Sequence, residues 1–409
     1  MFELVDSVQD KPVIKVIGVG GGGGNAVKHM MANDVEGVDF ICANTDAQAL
    51  KDIQAQTILQ LGNTITRGLG AGANPDIGRQ SALEDRDRIA EVLTGADMVF
   101  ITAGMGGGTG TGGAPIVAEI AKELGILTVA VVTRPFKIEG RKRTVVAEEG
   151  ILELRDKVDS LITIPNDRLL EVLGSKITMK SAYKEADNVL LGAVQGIADL
   201  MIRPGIMNVD FADVRTVMSE MGMAMMGSGS AIGENRAREA AEKAVRSPLL
   251  DNVNLSGARG ILVNIITGSE EAGCQELTLG EYSEVGEIVQ EIASDEATVV
   301  IGTAVDDKLG DEMRVTVVAA GLGEGTPAVR PAKVVDNARR ADAREVRESR
   351  ESRDMRESHG AAGLVSREAT DPRPRVEVER PKRPAPALNP ADADMEYLDI
   401  PAFLRRQAD

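Results

Sequence analysis

The sequence predicts an α/β protein with a doubly wound, Rossmann-like parallel sheet, followed by a smaller α+β domain. Between Pro12 and Thr133, nearly continuous apolar runs alternate with helical patterns, which is typical of strands covered on both faces. Glycine-rich turns follow several of these runs on their carboxyl side. Because ligands of doubly wound sheets lie beyond the carboxyl ends of the strands, these turns mark the expected site.

Six apolar runs are predicted to form the strands of the first domain. They are Val13–Val19, Val38–Ala43, Thr57–Leu61, Met98–Thr102, Ile126–Thr133 and Ser160–Ile164. A helical pattern over Ala114–Leu124 follows the fourth run.

A long helical stretch from Thr178 to Arg203 is predicted to form a buried spine, ended by Pro204-Gly205. The second domain follows, with helices expected at 211–221 and 234–246 and strands at 260–267, 297–303 and 313–320. A methionine cluster within it is interpreted as adaptable core rather than a binding surface.

The last part of the chain is predicted to lack a fold of its own. After Gly325 the sequence carries many charges of both signs, several prolines and almost no large apolar side chains. Residues 395–409 regain apolar side chains and resemble a short recognition peptide that docks in a groove of a partner. The alternative is a C-terminal helix that folds back on the parent domain.

Composition argues against several classes of protein. The formal net charge of −18, with no Trp, three Tyr and six Phe, disfavours binding to nucleic acid. Cys42 and Cys274 do not have the spacing of metal ligands and are interpreted as reduced thiols. Without a signal-peptide pattern or a run of 18 apolar residues, we expect a cytoplasmic protein with no direct membrane insertion.

Three glycine-rich loops carry the strongest functional signal. The loop at 104–113 lies between a strand and a helix, so its N–H groups and the helix dipole can bind a polyphosphate. No Gly-Lys-Ser/Thr follows, which excludes a P-loop. Further loops at 18–24 and 68–75 follow the first and third strands. Three such loops at one edge of a sheet favour a nucleoside triphosphate over a dinucleotide.

Polar side chains that could hold a base and ribose are Asn25, Glu139, Arg143, Asn166 and Asp187. The Asp187 carboxylate matches the N1–H and 2-amino group of guanine, and Tyr183 one turn earlier could stack on the base. Glu139 and Arg143 could equally form a surface pair at i,i+4.

Two aspartates open the second domain in the sequence Asn-Val-Asp-Phe-Ala-Asp, residues 208–213. Asp210 and Asp213 fit a helix N-cap and the N3 position of the same helix. The functional alternative is a pair of carboxylates that polarise a water for attack on a phosphate.

At these residues the sequence resembles the FtsZ family, the bacterial tubulin-like cell-division GTPases. The loop Gly106–Gly112 matches the tubulin/FtsZ signature, residues 12–320 follow the family, and Glu396–Asp409 matches its C-terminal peptide. Two stretches depart from it: Tyr183 stands where a Phe is common, and Gly268–Gly280 does not match.

The resemblance implies a tubulin/FtsZ-like GTPase domain at 12–177, a central helix at 178–204 and a C-terminal α+β domain at 205–321. An N-terminal extension at 1–11, a disordered charged linker at 322–394 and a partner-binding peptide at 395–409 complete the expected organisation. It implies assembly-dependent hydrolysis of GTP in head-to-tail filaments of a division ring at the midcell septum. Membrane-tethering adaptors and division regulators would bind residues 396–409.

The resemblance also implies roles for individual residues. Asp210 and Asp213, with Asn208, would activate water at the GTP of the neighbouring subunit. Mg²⁺ would be bound mainly by the nucleotide phosphates and water, with no protein metal site. The implied GTP/GDP contacts are Gly21, Gly22, Gly23, Gly24, Asn25, Asn44, Ala71, Gly72, Ala73, Gly104, Gly106, Gly107, Gly108, Thr109, Gly110, Thr111, Pro135, Glu139, Arg143, Asn166, Tyr183 and Asp187.

Two other functions stay open at this point. A monomeric Rossmann-class enzyme would bind NAD, although no acidic residue closes the second strand, which runs into Asn44-Thr45-Asp46. A filament protein that binds nucleotide only structurally would use Asp210 and Asp213 as helix caps alone.

Overall fold

The computed structural model describes residues 11–322, apart from 175, 204, 221, 251–256 and 295. The predicted N-terminal extension, charged linker and C-terminal peptide therefore lie outside the described residues, except for their boundary positions 11 and 322.

Ten strands form one mixed sheet in the order β3-β2-β1-β4-β5-β6-β7-β10-β8-β9. Neighbours pair in parallel except where β10 pairs antiparallel with β7 and β8. The six-stranded parallel part confirms the doubly wound prediction. The strands are β1 Ile14–Val19, β2 Val38–Asn44, β3 Thr57–Gln60, β4 Met98–Gly104, β5 Leu127–Arg134, β6 Ser160–Pro165, β7 Gly222–Ala231, β8 Gly260–Thr267, β9 Thr298–Val305 and β10 Met313–Leu322.

The helices are α1 Gly20–Ala32, α2 Ala47–Lys51, α3 Asn63–Thr66, α4 Pro75–Glu84, α5 Arg86–Leu93, α6 Thr109–Glu123, α7 Arg141–Arg155, α8 Asn166–Leu173, α9 Met179–Ile202, α10 Phe211–Met218, α11 Arg236–Val245 and α12 Leu279–Ile292. Within the described residues, none of the helices is both long and apolar enough to cross a membrane.

Apart from the edge strand β3, the six strands of the parallel part are mostly buried on both faces, which explains their nearly continuous apolar sequences. In β4, Met98 and Phe100 pack into a core shared with α1 and α9. Val99 and Ile101 point to the other face, into a core shared with α4, α5, α6 and α7. The β1–α1 and β4–α6 connections are thereby fixed at the carboxyl edge of the sheet.

The long helix α9 packs against both parts of the sheet, as the predicted spine requires. Thr178 caps it by accepting a hydrogen bond from Ser181 N. Midway along α9, Asn264 Nδ2 of β8 donates to Gly196 O at 2.8 Å. A single sheet runs through the two predicted domains, since β6 pairs with β7 over three residues. The domain boundaries near 177 and 204 stay a prediction.

In the second domain, the sequence prediction omitted one strand and one helix, β7 and α12. In β7, the side of the strand that carries Gly227 and Gly229 lies against α11. A Cβ on Gly227 would lie 2.0 Å from Ala244 O, and one on Gly229 would lie 2.3 Å from Ala240 O. Glycine is therefore needed in this strand because it lets α11 approach closely.

Candidate functional site

The three glycine-rich loops meet at the carboxyl edge of the parallel strands. A Cβ on Gly22 would lie 3.0 Å from the Cα of Gly104, so the loop at 18–24 contacts the loop at 104–113. A Cβ on Gly112 would lie 1.9 Å from Pro75 O, so the loop at 68–75 also packs against the loop at 104–113. Loops this close require glycine, and their convergence supports one shared ligand.

Several glycines keep the inner surface of these loops open. No atom lies within 4 Å of a Cβ built on Gly21 or Gly107. Gly72 and Gly106 have φ angles of +60° and +92°, a region that favours glycine. The backbone at Gly21, Gly72 and Gly107 is therefore open to a large anion, whereas Gly106 needs glycine also because a Cβ there would lie 2.6 Å from Arg143 O.

The two threonines of the loop at 104–113 are buried, and their hydrogen bonds stabilise its conformation. Thr109 Oγ1 lies 2.6 Å from Thr45 Oγ1, and Thr111 Oγ1 accepts from Gly106 N at 2.9 Å. The helix α6 begins at Thr109, so its positive end lies directly behind the loop.

Two cavities lie beside the loops and share Glu139 and Arg143. One of about 310 Å³ is bordered by α9 and by the ends of β4, β5 and β6. Its lining includes Gly22, Asn25, Gly104, Pro135, Asn166, Tyr183 and Asp187. The other, of about 440 Å³, is lined by Gly72, Ala73, Gly106, Gly107, Gly140, Lys142 and Val146. Together they resemble a base-and-ribose compartment joined to a phosphate compartment.

Glu139 and Arg143 form the predicted i,i+4 ion pair, and their role as ligand contacts stays a prediction. Arg143 Nη1 lies 3.0 Å from Glu139 Oε2, as an i,i+4 pair. Glu139 Oε1 also accepts a hydrogen bond from Phe136 N at 2.9 Å. The pair lines both cavities, so it is an ion pair and a candidate ligand contact at once.

Tyr183 lies at the mouth of the first cavity. Its ring meets that of Phe136 edge to face, with centroids 5.2 Å apart and an interplanar angle of 86°. Burial and the neighbouring Glu139 raise the pKa of its hydroxyl. The side chain is 40% exposed, which leaves ring surface for a base to contact.

Asp187 and Asn166 bring unsatisfied polar groups to the same cavity. Burial raises the pKa of the Asp187 carboxyl from 3.8 to about 6, although the nearby His29 opposes the shift. The Asn166 side chain is 3% exposed, and within the described part of the chain its Oδ1 has no hydrogen-bond partner. A buried acceptor without a partner is costly, so a ligand with hydrogen-bond donors fits this position.

The acidic motif of residues 208–213 lies at the amino ends of the parallel strands, whereas the glycine-rich loops lie at their carboxyl ends. Asp210 caps α10 by accepting from Asp213 N at 2.8 Å, which confirms its capping role. Both carboxylates are exposed. Arg215 of α10 donates to Gly125 O at 3.3 Å, and Gly125 precedes the amino end of β5. The motif is separated from the loops by the length of β5, roughly 25 Å for its eight residues.

The structure sorts the predicted site residues into groups. Thirteen of the predicted nucleotide contacts line the two cavities. Six others are buried behind the cavity walls: Asn44, Ala71, Gly108 and, at the start of α6, Thr109, Gly110 and Thr111. Gly21, Gly23 and Gly24 lie in the first turn of α1 and do not line either cavity. The three residues of the acidic motif lie at the opposite end of the parallel strands; they are Asn208, Asp210 and Asp213. The sequence reasoning missed Lys142, although the basic triplet Arg141–Arg143 beside a predicted contact was a usable signal.

No group of three or more His, Cys, Asp or Glu side chains in the described ranges is placed to hold a metal ion. The groups around the loops are backbone N–H groups, hydroxyls and amides. This set of donors suits an anion, and a cation would be bound together with that anion.

Comparison with known proteins agrees with this geometry. Residues 13–174 match the model of the Tubulin/FtsZ family, GTPase domain, and residues 222–323 match that of the FtsZ family, C-terminal domain. The chain is 60% identical to a cell division protein FtsZ of Pseudomonas aeruginosa and 61% identical to one of Pseudomonas putida, over the full length of each.

Among solved structures, an empty FtsZ dimer from M. jannaschii is 43% identical, with a TM-score of 0.72. The match covers 76% of this chain and 88% of that one. With these relatives, its two matched domains and the convergent glycine loops, the chain belongs to the FtsZ family of tubulin-like GTPases.

Proposed function

We propose that this protein binds GTP at the three glycine-rich loops and hydrolyses it only when subunits stack head to tail. The observation that carries the proposal is the separation of the loops from the Asp210–Asp213 motif at opposite edges of one sheet. Within one subunit these groups cannot meet. In a stack, the acidic edge of one subunit would face the phosphate loops of the next.

The two cavities suggest how the nucleotide is oriented. The guanine would pair through its N1–H and 2-amino group with Asp187 and contact the Tyr183 ring. Asn166 Oδ1 would accept a hydrogen bond from the base or ribose, which satisfies its buried lone pairs. Backbone N–H groups of Gly106–Thr111 and Gly21–Asn25 would bind the phosphates, aided by the N-termini of α6 and α1.

Hydrolysis would then need one activated water. A carboxylate of Asp213 from the neighbouring subunit would orient the water and accept its proton as the oxygen attacks the γ-phosphorus. The bond from that phosphorus to the β–γ bridging oxygen breaks, and GDP leaves with the electron pair. The Asp210 carboxylate, which also caps α10, would act on the same water, and Asn208, whose Oδ1 accepts from Gly205 N at 3.1 Å, would hold the preceding loop. Mg²⁺ bound by phosphate oxygens and water would offset their charge.

Head-to-tail stacking joins two different surfaces, and it produces open filaments when the rotation between subunits does not close a ring. Because the full-length relatives are cell division proteins, we propose that these filaments form the cytokinetic ring at midcell. Residues 396–409 would bind membrane-tethering adaptors and division regulators, so that membrane contact is indirect.

The test is to mix two inactive variants. Asp187→Ala should not hold GTP but keeps Asp213, whereas Asp213→Asn should bind GTP but not activate water. If the site is shared, the mixture recovers phosphate release, up to about a quarter of the wild-type rate for random stacking of equal amounts. A self-contained site predicts no recovery, and that result would refute the shared site.

Asp210→Asn tests the other aspartate separately, because asparagine is also a good N-cap and should keep the helix start intact while the carboxylate is lost. Asp213 contributes only its backbone N–H to the capping bond, so Asp213→Asn should leave stability unchanged. Unchanged turnover in Asp213→Asn would favour the rival in which both aspartates are caps alone. Binding of NAD in place of GTP would favour the Rossmann-class rival.

A further inference from the structure

The cavity assigned to the phosphates contains one lysine, Lys142. Its side chain lines the cavity together with Gly72, Gly106 and Gly107, which belong to two different glycine-rich loops. Among these lining residues, only Arg143 carries a further positive charge. Glu139 also lines this cavity and is paired with Arg143, so Lys142 is the one charged side chain of the lining without an opposite charge beside it in the described part of the chain.

Like the adjacent Arg141, and unlike Arg143 and Lys137, Lys142 has no acidic partner among the described residues. Arg143 pairs with Glu139 at 3.0 Å, and Lys137 lies 3.6 Å from Asp167. Within the described residues, no ion pair or hydrogen bond involves the Lys142 ammonium group. Its charge is thus available to an anion in the cavity.

The position of Lys142 in its helix also runs against local electrostatics. Arg141, Lys142 and Arg143 occupy the first turn of α7, and no acidic side chain accompanies them there. The N-terminus of a helix carries a partial positive charge, so three cations at this end repel it. Such a local conflict is expected where a function compensates it, and an anionic ligand would do so.

We propose that Lys142 recognises the terminal phosphate of the nucleotide and so distinguishes a triphosphate from a diphosphate. The inference rests on the proposed GTP site and adds a residue to it. The ammonium group would donate to γ-phosphate oxygens from the side opposite the glycine-rich backbone. This is the charge that a P-loop lysine supplies in other nucleotide-binding proteins, here reached from a different helix.

The experiment compares Lys142→Ala, Lys142→Arg and the matched control Arg141→Ala. Arg141 is the adjacent exposed cation, and it lines neither cavity. Dissociation constants of GDP and of a slowly hydrolysed GTP analogue are measured by displacement of a fluorescent nucleotide. Protein concentrations are kept below the assembly threshold, so that contacts between subunits do not contribute.

In Lys142→Ala we expect affinity for the triphosphate to fall roughly tenfold, while affinity for GDP changes less than twofold. Lys142→Arg should recover most of the loss, and Arg141→Ala should resemble the wild type. Equal losses for both nucleotides, or no loss for either, would overturn the proposal while leaving the GTP site intact. Failure of the wild type to bind either nucleotide would instead overturn the proposed function, and this inference with it.

Discussion

Asp187→Asn should make the nucleotide-free protein more stable and its guanine binding much weaker. Burial raises the pKa of the Asp187 carboxyl from 3.8 to about 6, because the charged form is poorly solvated in its cavity. In the part of the chain that the structure describes, no group donates a hydrogen bond to the Asp187 carboxylate. At neutral pH the site therefore carries a poorly solvated charge, which the hydrogen-bond donors of a bound guanine would stabilise.

The sign of the effect follows from the direction of the shift. The folded state binds the proton more tightly than the unfolded state, so stability falls as pH rises from about 4 to 6. Above pH 6 the whole penalty is present. Two pKa units correspond to about 3 kcal/mol as a ceiling. Since the carboxyl is partly exposed, we expect about 1–2 kcal/mol.

The assay is thermal or urea unfolding of the nucleotide-free variant at pH 7.5 and pH 4. At pH 7.5 the variant should unfold about 2–5 °C higher than the wild type, and at pH 4 the two should coincide. Asp39→Asn, which removes an exposed carboxylate from β2, is the control and should show no such gain.

Binding provides the second half of the test. Loss of two charge-assisted hydrogen bonds should weaken GTP binding by on the order of 100-fold. Xanthine has a carbonyl where guanine has its 2-amino group, and the Asn amide can donate to it, so affinity for XTP should rise. Unchanged GTP affinity, or lower stability at pH 7.5, would refute the reasoning.

Two further predictions concern packing. Gly112→Ala should destabilise the fold by more than about 3 kcal/mol, because the added Cβ would lie 1.9 Å from Pro75 O. In Gly107→Ala the added Cβ would have no atom within 4 Å, so this variant should fold normally and lose only nucleotide affinity. Thermal unfolding measures the stability of both variants, and nucleotide titration measures their affinity. Equal stability of the two variants would contradict the packing argument. Arg236→Met should cost about 3–5 kcal/mol in urea unfolding. That guanidinium is fully buried and donates to Glu281 and to the carbonyls of Gln275, Glu276 and Asp311, so a loss below 1 kcal/mol would show that these contacts contribute little.

Sequence reasoning succeeded where local pattern and tertiary environment agree. Apart from the edge strand β3, the parallel strands are mostly apolar because helices cover both their faces, and glycine marks the loops that approach another backbone. The three loops could be located for the same reason, whereas the ligand contacts assigned to their residues stay a prediction. Each prediction followed from a physical requirement that acts within a few residues.

Most omissions arose where the environment overrides local preference. β7 is rich in glycine and methionine, which are poor indicators of a strand, and its glycines are explained only by the proximity of α11. The omission of α12 has no such cause, because the capping box formed by Thr278 and Glu281 at its start is visible in the sequence. Lys142 was missed because its position beside the glycine loops depends on how α7 packs against α6.

Because the phosphate loops and the acidic motif lie at opposite ends of the subunit, the number of complete sites in a filament differs from the number of subunits. In the proposed arrangement a complete site exists only at a junction, and a row of subunits always has one junction fewer than it has subunits. A pair would therefore work at about half the turnover per subunit of a long row. One terminal subunit would keep its triphosphate intact, so the two ends of every row would differ chemically as well as in the surface they present.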